Sequence, residues 1–325
     1  MTTRNGVSRR IVISEFMDPA AVETLRQDFD VLYAADLVDR ADDLAQAVRD
    51  ADALIVRNRT QVNGELLRGA SRLVAVGRLG VGLDNIDQAY CASRGIAVLP
   101  AVGANAAAVA EYVVGLAMGL LRGFLFSSGA VAAGEWPRAR LASGHEIAGK
   151  LLGLVGYGSV GQRVGELARA VGMRVLAYDP VLPPEHPAWR DATRCEALDD
   201  LFRQADVVSL HVPYTPQNAS LVDERRLALM KRDAVLVNTA RGGIVDEAAL
   251  ARALRSGALA GAAVDVFEHE PLPDRSAFAG CPNLFLTPHV AGVTHESNER
   301  VSALIARRIA EVLAQARPGP AQSQT

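Results

Sequence analysis

The 325-residue chain has few cysteines, almost no lysine and no long uncharged apolar run. Its three cysteines, Cys91, Cys195 and Cys281, are widely spaced and form no Cys-x-x-Cys pair, which argues against both a disulfide framework and a zinc site. We therefore expect the cysteines to be small buried apolar residues, and we expect no metal centre.

No stretch of eighteen or more apolar residues is free of charge, and the N-terminal residues lack the apolar core of a signal peptide. A cytoplasmic protein without a membrane partner is the expectation. The formal charge of -3 at pH 7 gives no reason to expect nucleic acid or an anionic membrane as a partner. Because nearly all of the 34 basic residues are arginines, a single arginine is a weak sign of a binding site.

A glycine-rich turn, Gly156-Tyr157-Gly158-Ser159-Val160-Gly161, lies near the middle of the chain. An apolar strand pattern, residues 151–155, precedes it, and a helical pattern, residues 162–171, follows it. A strand, a Gly-x-Gly-x-x-Gly turn and a helix N-terminus together form a cradle for a pyrophosphate. The first glycine permits the sharp turn, the second lets the pyrophosphate approach the backbone, and the third lets the helix pack on the strand.

The residues after this turn bear on the choice of cofactor. A second apolar strand pattern, residues 174–178, ends at Asp179, where a carboxylate can hold a ribose diol and repel a 2'-phosphate. Residues 180–183 offer no cation for such a phosphate, so the pattern predicts NAD rather than NADP. Another glycine run, residues 77–82, also follows an apolar strand, and an ordinary glycine turn is the alternative interpretation of either run.

Strand and helix patterns alternate along the whole chain, which predicts an α/β fold with doubly wound parallel sheets. The alternating patterns that end at Leu99 take up about a hundred residues before the glycine turn, enough for a separate domain. Residues 105–122 form an Ala-rich helix that is apolar around much of its circumference; it is predicted to contact another domain or subunit, or else to be a core helix. Residues 127–149 are predicted to be an exposed arm or loop, and residues 317–325 a disordered tail.

Three reactive side chains follow late strands of the predicted sheet: Arg241, Glu270 and His289. Ligands bind beyond the carboxyl ends of parallel strands, so these residues are expected at the nicotinamide end of a bound cofactor. The arginine can bind a carboxylate and polarise a carbonyl, while the histidine donates a proton to the oxygen as hydride reaches the carbon. Glu270 can fix the histidine tautomer and keep its acid form available. Each residue alone has an ordinary structural explanation, but together they favour hydride transfer to a 2-oxo acid.

Several motifs are spread over nearly the whole chain. They are Val56-Arg57-Asn58-Arg59-Thr60, residues 80–87, Val109-Ala110-Glu111, residues 154–161, Leu210-His211-Val212-Pro213, residues 238–246, residues 265–271 and Thr287-Pro288-His289. These segments, in this order, resemble the D-isomer-specific 2-hydroxyacid dehydrogenase family.

The resemblance implies two Rossmann-like or flavodoxin-like domains, with an NAD-binding domain (residues 104–290) inserted into a substrate-binding, catalytic domain (residues 1–103 and 291–325). It implies that Arg241, Glu270 and His289 are catalytic, and that the helix after Asn105 builds a homodimer. Asp265 is implied to hold the nicotinamide carboxamide, and the amides around Val81 and Gly82 to receive the substrate carboxylate. The predicted cofactor contacts are Gly156, Gly158, Ser159, Val160, Gly161, Asp179, His211, Pro213, Ala240 and Asp265.

The substrate is expected to be a small 2-hydroxy or 2-oxo acid. Arg57 and Arg59 lie two apart in a segment predicted to be extended, so both could bind a second anionic group; one buried salt bridge and one surface arginine is the alternative. Other segments look similar to the sulfolactate dehydrogenase branch of the family. They are residues 13–18, 134–138, 144–146 and 292–300.

The sequence is also compatible, to different degrees, with three other functions. A 3-phosphoglycerate or hydroxypyruvate dehydrogenase is the rival within the family, and the absence of an appended regulatory domain leaves the short-form phosphoglycerate enzymes open. A different class is an NAD-sensing scaffold similar to the C-terminal binding protein corepressors, which keep the same Arg-Glu-His set. Formate dehydrogenase is disfavoured because it has a glutamine where Glu270 stands.

Overall fold

The structure is a computed structural model that describes residues 8–315. The chain divides into two compact units. The first contains the described residues up to Asn105 together with those from Val293 onward, and the second is Ala106–Gly292. The tail predicted to be disordered, residues 317–325, lies outside the described residues.

The first unit is built on a five-stranded parallel sheet with the order β2-β1-β3-β4-β5. The order reverses between β1 and β3, and such a switch point is where open parallel sheets bind ligands. Ile11, Val12 and Ile13 of β1 are fully buried, because helices cover both faces of the sheet. The strands are β1 (Arg10–Ile13), β2 (Asp30–Tyr33), β3 (Ala53–Val56), β4 (Ala75–Arg78) and β5 (Ala97–Pro100).

The helices of the first unit are α1 (Pro19–Arg26), α2 (Ala41–Arg49), α3 (Gly64–Leu67), α4 (Gln88–Ser93) and the last helix, α12 (His295–Gln315). The Asp18 carboxylate caps α1 by accepting from the amides of Ala20 and Ala21. The chain returns to this unit through α12. Gly77 of β4 makes that return possible, because a Cβ there would lie only 2.6 Å from Ile305 of α12.

The second unit contains a seven-stranded parallel sheet with the order β12-β11-β10-β9-β6-β7-β8. Its switch point lies between β6 and β9. The strands are β6 (Leu151–Val155), β7 (Arg174–Tyr178), β8 (Thr193–Arg194), β9 (Val207–Leu210), β10 (Val235–Asn238), β11 (Gly261–Val264) and β12 (Leu284–Leu286).

The helices of the second unit are α5 (Ala106–Arg122), α6 (Ser128–Ala132), α7 (Arg138–Leu141), α8 (Ser159–Ala170), α9 (Leu198–Gln204), α10 (Glu224–Leu227) and α11 (Glu247–Arg255). The apolar helix α5 packs on α8 and on the sheet within this unit, and most of its residues are buried there. It is thus a core helix of one unit. The segment with α6 and α7 is exposed, including Trp136 at 78%.

The prediction of two doubly wound parallel sheets is confirmed. The differences concern strand ends and short elements. The apolar run at residues 73–76 predicts a strand there. In the structure, pairing with β3 runs from Ala75 to Arg78, so β4 lies two residues further along the chain. The two-residue β8 and the short helices α6 and α7 were not predicted, because such short elements carry no periodic apolar pattern. Within residues 8–315, no helix combines the length and apolar character that crossing a membrane requires.

Candidate active site

The glycine turn after β6 leaves no room for side chains at its two ends. Gly156 has a φ of 95°, in the left-handed region, and a Cβ there would lie 2.5 Å from the carbonyl oxygen of His211. A Cβ on Gly161 would lie 2.3 Å from the carbonyl oxygen of Gly156. The turn is therefore folded tightly against the start of α8 and against the end of β9.

The middle glycine of the turn faces open space. A Cβ on Gly158 would meet no atom within 4 Å. Helix α8 begins at the next residue, so the amides of Ser159 and Val160 belong to its first turn and have no carbonyl partner within the helix. Open space above a helix N-terminus with free amides suits a pyrophosphate, which is the group that a dinucleotide cofactor places at such a turn.

Asp179 lies directly after β7, and its carboxylate accepts a hydrogen bond from the glycine turn. One carboxylate oxygen accepts from the amide of Tyr157 at 2.8 Å. The other accepts from the amides of Val181 and Leu182 at 2.9 and 3.1 Å. A carboxylate held in this way beside the turn still has lone pairs for a ribose diol.

His211 follows β9 at the switch point of the second sheet. Its Nε2 lies 2.9 Å from the Ser209 hydroxyl, and burial lowers the pKa of the imidazole to about 4. His211 is therefore neutral near pH 7. Pro213 follows two residues later, and its carbonyl accepts from the side-chain amide of Asn218. Ala240, after β10, donates its amide to Asn238 Oδ1 at 3.1 Å.

Glu270 and His289 form a hydrogen-bonded pair. Glu270 Oε2 lies 2.8 Å from His289 Nδ1, while Oε1 accepts from the amide of Phe267 at 3.0 Å. Because a carboxylate is the acceptor at neutral pH, Nδ1 carries the proton of this bond and Nε2 is the ring nitrogen left for a ligand. The pair can thus hold the ring in one orientation.

Asp265 anchors the backbone that carries His289. His289 has a φ of 57°, which is uncommon for a residue other than glycine, and its amide donates to the Asp265 carbonyl at 2.8 Å. The buried Asp265 carboxylate accepts from the amides of Val290 and Ala291 at 2.9 and 2.8 Å. It also accepts from the Thr287 hydroxyl at 2.5 Å. The sequence does not predict this anchoring, because the motif around Asp265 indicates only a cofactor contact.

Arg241 follows β10, and Gly242 brings its loop against the loop after β11. A Cβ on Gly242 would lie only 1.8 Å from the carbonyl oxygen of Phe267, so no other residue fits there. Arg241 donates from Nη1 to the Ala240 carbonyl at 2.6 Å, and its own carbonyl accepts from Asn238 Nδ2. The close loop contact places the arginine loop beside the segment that leads to Glu270.

Val81 and Gly82 belong to the first unit, in the glycine run after β4. The Arg78 guanidinium folds over this run, since a Cβ on Gly80 would lie 1.4 Å from Arg78 Nη1. The Leu79 amide donates to the Val56 carbonyl, and the Gly80 carbonyl accepts from Ala101. No helix follows directly, because α4 begins only at Gln88.

The prediction that Arg57 and Arg59 share one side of an extended segment is wrong. Strand β3 ends at Val56, and the next residues wrap around the Glu15 carboxylate. Arg57 Nη2 donates to Asn298 Oδ1 at 2.8 Å, whereas the exposed Arg59 guanidinium is paired with Asp39. The extended pattern failed because the buried Glu15 carboxylate, just beyond β1, bends the segment, and a pattern within residues 56–60 cannot show that carboxylate.

A parallel sheet with a tight glycine turn and an open helix N-terminus at its switch point, and with a carboxylate-bound histidine at a strand end, is typical of a dinucleotide-dependent dehydrogenase. The chain belongs to the D-isomer specific 2-hydroxyacid dehydrogenase family, because the model of that family's NAD binding domain matches residues 114–291. The resemblance seen in the sequence is thereby confirmed, as is the class of enzyme: an NAD-dependent oxidoreductase that acts on the CH–OH group of a 2-hydroxy acid.

Individual relatives agree with this family. The chain is 51% identical to the (S)-sulfolactate dehydrogenase of Chromohalobacter salexigens, over 90% of this chain and 94% of that protein. It is 36% identical to the D-3-phosphoglycerate dehydrogenase of Methanocaldococcus jannaschii over 94% of this chain, but it spans only 57% of that protein. The crystal structure of the TT0316 protein from Thermus thermophilus is similar, with a TM-score of 0.83 and 32% identity, over 95% of this chain and 98% of that one.

Proposed function

We propose that this enzyme interconverts a D-type 2-hydroxy acid and its 2-oxo acid, and that the substrate has a second anionic group, as sulfolactate does. The observation that carries the reaction is the 2.8 Å pair of Glu270 and His289, in the unit that has the dinucleotide cradle. The observation that favours a sulfonated substrate is the 51% identity to an (S)-sulfolactate dehydrogenase.

In this proposal the catalytic residues handle the carbonyl group and its proton. NADH, when bound, supplies the hydride that reaches the carbonyl carbon. His289 donates its Nε2 proton to the carbonyl oxygen, Arg241 polarises that oxygen and binds the neighbouring carboxylate, and Glu270 holds the imidazole in the orientation for the transfer. The 2-oxo acid gains one hydride and one proton, and the reverse direction removes both.

The first unit is proposed to be the substrate-binding domain, with boundaries near 103/104 and 290/291. The amides of Val81 and Gly82 bind the substrate carboxylate, and Arg57 binds the second anionic group. Arg59 has no part in this proposal, because Asp39 already neutralises its guanidinium.

The configuration of the substrate is consistent with the family name. In D-lactate, which has the (R) configuration, the carboxylate has a higher priority than the methyl group in the rules that assign the (R) and (S) labels. A sulfonate on that methyl group reverses the two priorities, because sulfur has priority over oxygen at the first point of difference. A D-type arrangement is therefore called (S) in sulfolactate, and an enzyme with the family's stereochemistry would produce this isomer.

We further propose that the enzyme prefers NAD to NADP, and that it is a cytoplasmic homodimer. The Asp179 carboxylate at the end of β7 supports the cofactor preference, because a 2'-phosphate would be repelled there. The ratio of kcat/KM for NADH and NADPH tests it. The exposed segment with α6, α7 and Trp136 supports a subunit contact, which sedimentation equilibrium would test.

The substitution of His289 by alanine tests the reaction. We expect His289→Ala to lower kcat by about a hundredfold to ten-thousandfold, because general acid catalysis contributes on the order of 10² to 10⁴ in rate, and to leave NADH affinity unchanged. Glu270→Gln, which keeps a hydrogen-bonding group of the same shape, should lower kcat less. An unchanged kcat in His289→Ala would overturn the proton-donor role.

The values of kcat/KM for different 2-oxo acids distinguish the proposed function from the alternative functions. A higher kcat/KM for 3-phosphohydroxypyruvate or hydroxypyruvate than for sulfopyruvate would favour the rival enzymes of the same family. Tight NADH binding with no turnover of any 2-oxo acid would favour an NAD-sensing scaffold similar to the C-terminal binding protein corepressors.

A further inference from the structure

Glu15 and Arg57 meet at the switch point of the first sheet. Glu15 lies just beyond β1 and Arg57 just beyond β3, the two strands between which the strand order reverses. Open parallel sheets bind their ligands outside the carboxyl ends of such strands. The two residues therefore occupy the position in this unit where a ligand group is expected.

The Glu15 carboxylate organises the loop after β3. It is 96% buried, and it accepts hydrogen bonds from four successive backbone amides at 2.9 to 3.3 Å, those of Arg57, Asn58, Arg59 and Thr60. These amides form an anion-binding concavity that the protein's own carboxylate fills. A substrate anion at this position must therefore be bound by a side chain.

The Arg57 guanidinium is held without being neutralised. Its Nη2 donates to the neutral side-chain oxygen of Asn298 at 2.8 Å, and its carbon atom Cζ lies 5.9 Å from the centre of the Phe16 ring. Among residues 8–315, no carboxylate oxygen lies within ion-pair distance of this guanidinium. Burial lowers the pKa of Arg57 and the nearby Glu15 charge raises it, but an arginine stays charged at neutral pH.

Arg57 and Arg59 differ in the charge of the group that binds each guanidinium. Arg59 is exposed, and both of its terminal nitrogens bind the Asp39 carboxylate. Arg57 instead has an amide oxygen as its partner, which fixes the guanidinium while its charge remains. Only one of its five N–H groups is used by Asn298, so an edge remains for an oxyanion with two oxygens.

We propose that Asn298 and Glu15 are positioning residues for Arg57, and that the neutral side chain at position 298 makes the enzyme selective for 2-oxo acids with a second anionic group. Glu15 fixes the backbone of the arginine, and Asn298 fixes its guanidinium. The inference rests on the proposed function. Two segments that resemble the sulfolactate dehydrogenase branch, residues 13–18 and 292–300, supply Glu15, Phe16 and Asn298, and so converge on this arginine.

Substitution of Asn298 by aspartate tests this role. A carboxylate at this position pairs with Arg57 and competes with the second anion of the substrate. We expect Asn298→Asp to lower kcat/KM for sulfopyruvate about a hundredfold, mainly through KM, and to change kcat/KM for pyruvate less than about threefold. Asn298→Ala should lower the value for sulfopyruvate about tenfold, because it removes one hydrogen bond and no charge.

A matched control separates this local effect from a general effect of charge. Ala303 is exposed on the same helix, so Ala303→Asp adds the same charge away from Arg57. It should leave the ratio of kcat/KM for sulfopyruvate and pyruvate unchanged. An equal loss with both substrates in Asn298→Asp, or the same change of ratio in Ala303→Asp, would overturn the positioning role.

Two further measurements distinguish this inference from the proposed function. If the wild-type enzyme shows no preference for sulfopyruvate or 3-phosphohydroxypyruvate over pyruvate, the proposed substrate class is wrong. If that preference exists and Arg57→Ala abolishes it, but Asn298→Asp preserves it, the substrate class holds and the role of Asn298 is refuted. Comparison of the two anionic substrates also shows whether a sulfonate or a phosphate is preferred.

Discussion

Two glycine-rich turns follow parallel strands in this chain, and their surroundings differ. The turn at residues 156–161 continues at once into α8, a helix of 12 residues. The run at residues 77–82 has no helix until Gln88, and its first glycine lies inside β4, where it accommodates Ile305. Only the first turn therefore has free helix amides directed at it, which is what a pyrophosphate requires.

Glycines of similar spacing make room for different neighbours in the two turns. In the turn at residues 156–161, Gly156 and Gly161 allow backbone to approach backbone, and Gly158 leaves space open. In the other run, Gly80 accommodates the Arg78 guanidinium. We propose that the first turn binds the cofactor and the second the substrate, so substitutions in the two turns should affect different ligands.

The largest effect is expected in the cofactor turn. Gly161→Val places a side chain 2.3 Å from the Gly156 carbonyl oxygen, so the turn must open. The dissociation constant for NADH should rise at least about a hundredfold, with a loss of about 2 kcal/mol in the free energy of unfolding. Fluorescence titration with NADH and thermal unfolding measure the two quantities.

Gly158→Ala is the matched variant for this prediction. Its Cβ meets no protein atom within 4 Å, so stability should not change, yet NADH binding should weaken because the methyl group occupies the space proposed for the pyrophosphate. Wild-type NADH affinity in both variants would refute the assignment of the cofactor to this turn.

A smaller effect, on the other ligand, is expected in the second turn. Gly80→Ala forces the Arg78 guanidinium to move, because the new Cβ would lie 1.4 Å from Nη1. The KM for the 2-oxo acid should rise about fiftyfold, or roughly 2 kcal/mol, while NADH affinity stays the same. Steady-state kinetics at saturating NADH check this. A change in NADH affinity as large as the change in KM would contradict the proposal that the two turns bind different ligands.

The smallest effect concerns acid stability near the cofactor turn. The pKa of His211 is lowered to about 4 in the folded protein by burial, and is near 6.5 when unfolded, so protonation favours the unfolded chain. The free energy of unfolding therefore has its full value above about pH 6.5, and it declines as the pH falls toward 4. Between pH 7 and pH 5 the loss should be about 1 to 2 kcal/mol.

The variant His211→Gln isolates this contribution, since its amide can keep a hydrogen bond to Ser209 without titrating. Urea unfolding at several pH values measures it. Equal pH dependence in the wild-type protein and the variant would contradict the role of His211.

The sequence was sufficient for local features and insufficient for contacts between distant segments. The glycine turn at residues 156–161 and the strand ends before Arg241 and His289 could be predicted, because each depends on neighbours within about ten residues. Glu15 is different. It bends the loop of Arg57 from 42 positions away in the chain, and the anchoring of His289 by Asp265 spans 24 positions. Such partners become visible only when the strands are placed side by side.

Initial rates of NADH oxidation test most directly whether the enzyme reduces a 2-oxo acid with a second anionic group. Sulfopyruvate, 3-phosphohydroxypyruvate, oxaloacetate, hydroxypyruvate and pyruvate should be compared for kcat/KM with the wild-type enzyme and with Arg57→Ala. We expect sulfopyruvate to have the highest value in the wild-type enzyme, and Arg57→Ala to reduce its advantage over pyruvate at least about tenfold. A highest value for pyruvate or hydroxypyruvate in the wild-type enzyme, unaffected by Arg57→Ala, would contradict the proposed substrate.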